Sequence, residues 1–509
     1  MVPYEVNMTS LTIVSARTSK QVCLLGTAIL FLAGFCFSQP AISLSPTDGP
    51  PTSSLRVSGS GFAPNAKIDI YFGTQDEAVA MTNSSGSFSQ IAIPASASAL
   101  PGTHWVSAVE RSGHTGAQAT FLVSTSWSQY HRNNMRRWNP YENVLNVNNV
   151  GSLHRKWNFT TGNAVYSSPA VAHGVAYIGS TDSNLYALKT GTGAKLWSYA
   201  TGSTLLSSPA VANGAVYFGS ADYNFYALNA STGALLWSYP TGNPVYSSPA
   251  LVNGVVYFGS FDSNVYALNA STGAKVWSYA TGGSVYCSPA VANGVVYVGS
   301  WDHNMYALNA STGALLWSYP TGGQISSSPA VANGRVFAGS DDNKVYALNA
   351  STGALLWSYT TGTFADSSPA VADGVVYVGS DDGNLYALKA STGALLWSYY
   401  TGILGIGGPA LANGVLYVGG SFHAVNALKA STGALLWSYR TSENIESSPA
   451  VVNGVVYVGS EDGNVYAFRL KEGLEKTEAN AKRPGLNTIR PDFNLKVSLP
   501  VATRSGPEF

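Results

Sequence analysis

Charge is what this chain has least of. Asp, Glu, Lys and Arg make up 10% of its 509 residues and cancel, 26 basic against 26 acidic. No global field therefore draws it to nucleic acid or to anionic lipid, and partners must be recognised locally. Cysteine is scarcer still. Of three, Cys23 and Cys36 share one apolar stretch and Cys287 stands alone, which excludes a disulfide framework although not export. The seven histidines, His104, His114, His131, His154, His173, His303 and His423, show no paired metal-ligand spacing. No G-x-S-x-G elbow and no phosphate-cradling glycine loop occurs. The runs Asp381-Asp382-Gly383-Asn384 and Asp462-Gly463-Asn464 lack the spaced ligands and closing Glu of a calcium loop, and read as Asp-capped turns. No metal site is expected.

What is abundant is Gly, Ser, Ala, Val and Tyr, a mixture suited to short strands and tight turns. At this length one ordinary core does not suffice, and a repeat array resolves the difficulty. Pro169, Pro209, Pro249, Pro289, Pro329, Pro369, Pro409 and Pro449 recur with a period of forty, as do Trp157, Trp197, Trp237, Trp277, Trp317, Trp357, Trp397 and Trp437. Residues 207–239, SSPAVANGAVYFGSADYNFYALNASTGALLWSY, divide into four strands. Asn-Gly supplies the two positive φ angles of a two-residue hairpin, Asp-x-Asn makes the second turn and Ser-Thr-Gly the third. Pro209 in the first strand has no N–H to donate, which assigns that strand to an edge, the innermost position of a propeller blade. Eight units predict an all-β, eight-bladed β-propeller over residues 153–470. The last unit lacks its Trp strand, and residues 153–159 around Trp157 are expected to complete it from the front.

Residues 41–124 differ, with short strands between Pro-Asn, Ser-Gly and Pro-Gly turns, and read as a small immunoglobulin-like β-sandwich. Residues 125–152 read as a linker and 471–509 as a poorly ordered tail. The apolar stretch Val22–Phe37 follows Arg17 and Lys20 and precedes Ser38, so residues 1–38 read as a signal peptide or membrane anchor. The protein is expected to be exported, secreted or attached to the cell envelope, and to meet a membrane only through that segment.

The string ALNASTGALLW at residues 227–237, 307–317 and 347–357 resembles the tryptophan-docking motif of the pyrroloquinoline-quinone-repeat family. That family includes quinoprotein dehydrogenases and the lipoprotein propeller of the outer-membrane β-barrel assembly machinery. The resemblance covers residues 127–470 and implies tryptophans that pack between blades, structural and not catalytic. It also raises a pyrroloquinoline quinone with calcium as cofactor and an alcohol dehydrogenase, or a degenerate cofactor-binding relative, as function. The chain departs from the dehydrogenases at two points: Cys287 has no adjacent cysteine, and the uniform period leaves no room for pocket-building insertions. A propeller without cofactor or catalytic residues is therefore expected.

Comparing the eight units with one another locates a candidate site. The Asn-Gly and Ser-Thr-Gly turns hardly vary, whereas the opposite face does. There the sequence between blades runs NAVY, STLL, NPVY, GSVY, GQIS, TFAD, ILGI and ENIE, and the second turn is equally diverse. Tyr223, Phe261, Trp301 and His303 come from neighbouring blades, Asp366, Glu443, Glu446 and Glu461 from later ones, and Phe422 and His423 from the aberrant seventh. Aromatics on a rim stack on sugars or anchor peptide side chains, and carboxylates pair with a basic partner. A monomeric scaffold binding a protein or glycan at this face is the expected function, with a purely structural surface protein as a further reading.

Overall fold

The computed structural model describes residues 39–111, 115–130, 138–402, 407–420 and 422–471. The expected signal or anchor, and all but the first residue of the expected tail, lie outside these.

Residues 41–123 form two sheets. One holds Ala41–Ser45, Ser54–Ser60 and Phe88–Pro94. The other orders Asp48–Gly49, Gly116–Val123, Gly102–Glu110, Lys67–Phe72 and Gln75–Met81. Alternation along the strands turns Leu55, Val57, Ile68, Ile70, Val106 and Phe121 into the space between them, where all are fully buried.

From Trp157 on, the forty-residue period becomes geometry. The described residues contain eight blade sheets of four antiparallel strands each, beginning with Ala170–Ala172, Val175–Gly179, Asn184–Lys189 and Lys195–Ala200, and the seventh gains a fifth strand, Trp138–Asn139, parallel to Ala410–Ala412. Asn213 and Gly214 take φ values of 50° and 76°, as the hairpin between the first two strands requires. Each innermost strand lies beside that of the next blade, and the last, Ala450–Val452, beside the first, so the ring is closed. The seam is sealed as the incomplete last repeat demands. His154–Thr160 pairs antiparallel with Asn464–Arg469 and supplies that blade's outer strand.

One contact repeats around the ring. The indole N–H of Trp197 donates to the Ala230 carbonyl of the next blade at 3.0 Å, and seven more tryptophans make the equivalent bond. The indole lies flat on a turn glycine. A Cβ built on Gly233, whose φ is 73°, would sit 2.7 Å from the Trp197 ring. This turn therefore needs Gly both for its conformation and for the approach of the neighbouring blade.

Truncating Trp277, which is 7% exposed, to Ala is expected to cost about 3–5 kcal/mol. Trp277→Phe, which keeps the ring but forfeits the bond, should cost about 1 kcal/mol beyond its loss of area. Urea denaturation midpoints measure both. Deleting residues 150–160 should open the ring, seen as an early-melting transition and as added protease cleavage in the final blade.

Candidate functional site

The lead-in to the ring crosses one end of its channel. Trp127, 1% exposed, pairs with Val171 of the first blade, and the Val211 N–H of the second donates to the Ser128 carbonyl at 2.7 Å. The Leu251 N–H of the third donates to Gln129 Oε1. Tyr130 then crosses the channel to the sixth blade, where its hydroxyl donates to Ser368 Oγ at 3.0 Å. The segment expected as a linker thus packs against the ring at its start, and Tyr130 lines a cavity of about 440 Å³ in the channel.

Along the cavity runs a belt of serines, one from each SSPA segment. The Ser168 N–H donates to Ser208 Oγ, and the chain of bonds continues through Ser248, Ser288 and Ser328 to Ser368, then returns from Ser448 to Ser168, at 2.8–3.1 Å. The belt breaks at the seventh blade, where Gly408 has no hydroxyl. Neighbouring Gly407 is enclosed as well, since a Cβ there would meet the Glu446 carbonyl at 2.5 Å. Cys287 occupies a serine position, is 1% exposed and exchanges hydrogen bonds with Gly299. Burial pushes its thiol up to about 12, so it is no nucleophile.

The open end is divided in character. On one side Tyr246, Phe261, Tyr286 and Trp301 form a cluster with ring centroids 4.9–6.2 Å apart, and the Trp301 indole donates to Ser326 Oγ. Facing it, Asp366 and Glu446 line the cavity. Burial, then the charges of Asp381 and Asp341, raises Asp366 to about 7. Burial, then a hydrogen bond with Glu461 and its charge, raises Glu446 to about 7.

A family profile described as "Outer membrane protein assembly factor BamB" matches residues 124–285, 233–328, 262–403 and 401–492, well over half of the chain. The chain belongs to this pyrroloquinoline-quinone-repeat family. No curated protein matches it in sequence. Among solved structures it is similar to BamB from Moraxella catarrhalis, at 20% identity and a TM-score of 0.56, covering 62% of this chain and 100% of that one. It is also similar to the quinohemoprotein alcohol dehydrogenase ADHIIG from Pseudomonas putida HK5, at 18% identity and a TM-score of 0.61, covering 68% and 80%. The computationally designed protein Ika8 shares the fold at 19% identity and a TM-score of 0.56, covering 61% and 98%. An assembly factor, an enzyme and a designed ring share this architecture, so function is decided at the site. Among the described residues no helix is long and apolar enough to cross a membrane.

Within this BamB-family propeller the ten residues singled out from the sequence separate. Phe261, Trp301, Asp366, Glu446 and Glu461 meet around the mouth. Tyr223, His303 and His423 hold the third position of their turns with φ of 71°, 73° and 54°, and their carbonyls cap the following strand. His423 lies 3.8 Å from Glu443. Phe422 stands where other blades have the turn Asp, with its ring against Gly402 and Tyr400. Tyr130, Tyr246, Tyr286, Asp341, Asp381 and Ser367 escaped sequence reasoning. For Tyr246 and Tyr286 the signal was present in the last letter of NPVY and GSVY.

The carboxyls of this propeller pull stability in two directions. Asp366 and Glu446, raised in the folded state, bind protons the unfolded chain has released, so stability should grow as pH falls from 8.5 to about 5. Asp182, Asp382 and Asp462 are also penalised by burial, but hydrogen bonds from a tyrosine hydroxyl, backbone N–H groups and an Asn hold them below the ordinary range. Their contribution is present above about pH 4 and lost below it. Calorimetric melting should show a maximum near pH 5, and the alkaline limb should flatten in the D366N/E446Q double variant.

Proposed function

We propose that the protein is an exported, non-catalytic scaffold that binds a protein or glycan partner in the mouth of its channel, with the sandwich as spacer. The observation that carries this reading is the division of the mouth. In a ring whose other turns are copies, aromatic side chains gather on one side and carboxylates on the other, over a cavity lined by Tyr130. Buried aromatic anchors beside a charged rim are how protein interfaces concentrate binding energy.

The same chemistry speaks against a quinone cofactor. Pyrroloquinoline quinone is a tricarboxylate, and among the described residues the cavity lining includes Asp366 and Glu446 but no Lys or Arg. No cluster of three His, Cys, Asp or Glu among the described residues is placed to hold a metal ion. The described residues of the lining do not suit that anion.

Peptide and glycan arrays probed with the full chain test the reading. Replacing Phe261 and Trp301 by Ala should weaken the selected ligands at least ~30-fold, the equivalent of about 2 kcal/mol expected of anchor residues. Ser271→Ala with Ser311→Ala, on the opposite face, should leave binding intact. Equal binding by all three proteins would remove the mouth from consideration. Saturable heat with quinone plus calcium, accompanied by dye-linked alcohol oxidation, would overturn the non-catalytic assignment.

A further inference from the structure

The acidic side of the mouth holds a group that no described residue uses. In other blades the first serine of the SSPA segment is occupied: Ser167, Ser207, Ser247 and Ser447 accept the N–H of Gly179, Gly219, Gly259 and Gly459. Ser367 is 4% exposed, lines the cavity, and its Oγ finds no hydrogen-bond partner among the described residues. It lies next to the gap in the serine belt at Gly407 and Gly408, between the two carboxylates. A buried hydroxyl without a partner costs free energy, as does a pair of desolvated carboxylates, and both costs vanish when a group that donates hydrogen bonds and carries positive charge enters.

We propose that the mouth receives a cationic side chain, the ammonium or guanidinium of a Lys or Arg on an extended segment of a partner protein, against Tyr286 and between Asp366, Glu446 and the Ser367 hydroxyl. This rests on the reading that the mouth is the partner-binding face. An aromatic face beside carboxylates is the environment that favours organic cations. The carboxylates stand on the sixth and eighth blades, and no group of three His, Cys, Asp or Glu among the described residues is placed to hold a metal ion. A neutral sugar would leave both charges uncompensated.

Among the described residues, the groups that face this site are Asp341, Asp381, Glu461, Tyr130, Tyr166, Tyr246 and Tyr286, with His303 beside Asp341. Apart from His303 they are acids, so protonation can only weaken the hold on a cation. The probes are acetyl-Gly-Gly-Lys-Gly-Gly-amide, its Arg and norleucine counterparts, and calcium chloride, titrated calorimetrically into the full chain at pH 8 and pH 5.5. The Lys and Arg peptides should bind at least ~10-fold tighter than the norleucine peptide and weaken at least ~5-fold at pH 5.5, and D366N/E446Q should abolish the preference. The variant's melting temperature at pH 8 should stay level or rise, since mutual repulsion is removed. Equal binding of norleucine, saturation by calcium alone, or a lowered melting temperature would each overturn the proposal. If array ligands depend on Phe261 and Trp301 but are indifferent to basic side chains, the cation site falls and the scaffold reading stands. If no ligand depends on those aromatics, the scaffold reading itself falls.

Discussion

The ring hangs on one carbonyl per blade boundary. Ala230 accepts both the Trp197 indole and the Tyr177 hydroxyl of the preceding blade, at 3.0 and 3.1 Å, and the turn that presents it is clamped flat by the glycine beneath the indole. A four-stranded meander alone cannot bury both faces, and this contact brings the next sheet to it in one fixed orientation. The contact is thinner at the boundary after the fifth blade, where Phe337 offers no hydroxyl, and at the seam. At that seam the Trp437 indole reaches the Leu153 carbonyl at 2.9 Å, supplied by the front of the chain, while the Tyr417 hydroxyl has no hydrogen-bond partner among the described residues. The closing strand and the lead-in segment that follows the sandwich make up the difference by packing Leu145, Val150 and Leu153 into the same core.

This constraint acts on one face only. Asn-Gly and Ser-Thr-Gly turns are held because the docking contact passes through them, so they remain copies. On the other face the recurring demand is the Asp of the second turn, whose carboxylate joins its own tyrosine to the N–H of the preceding loop, as Asp222 does with Tyr226 and Gly202. The residues on either side of that Asp serve the turn through their backbone, so their side chains are free to vary. Half-freedom of this kind lets a uniform ring carry an asymmetric mouth, with anchoring aromatics at one side and carboxylates at the other.

The architecture was legible because its determinants recur. Eight tryptophans in phase and a missing last strand were enough to predict both the docking contact and the closure by Trp157. The site was legible only in part. Phe261, Trp301, Asp366, Glu446 and Glu461 lie where variation pointed. Tyr223, His303 and His423 vary equally but sit at a positive-φ position whose duty is performed by the backbone. Tyr130 could not be found by comparing repeats, because it comes from outside them and reaches the sixth blade across the channel. Ser367 could not be found either: its letter matches its counterparts, and only the hydrogen bond it fails to make sets it apart.

The seventh blade joins these threads. Losing the serines at Gly407 and Gly408 interrupts the belt, and losing the turn Asp at Phe422 removes the carboxylate that ties the second turn to the preceding loop. Both losses weaken the ring. The docking contact on the opposite face is nonetheless intact, with the Trp397 indole on the Ala430 carbonyl at 3.0 Å and Gly433 beneath it. A blade that keeps its place while surrendering its inner serines puts Gly407 and Gly408 into the same cavity lining as Asp366, Ser367 and Glu446. Two carboxyls raised to about 7 beside an unpartnered hydroxyl are unfavourable for the ring by itself, and complementarity to a positively charged group follows from the same electrostatics that make them so.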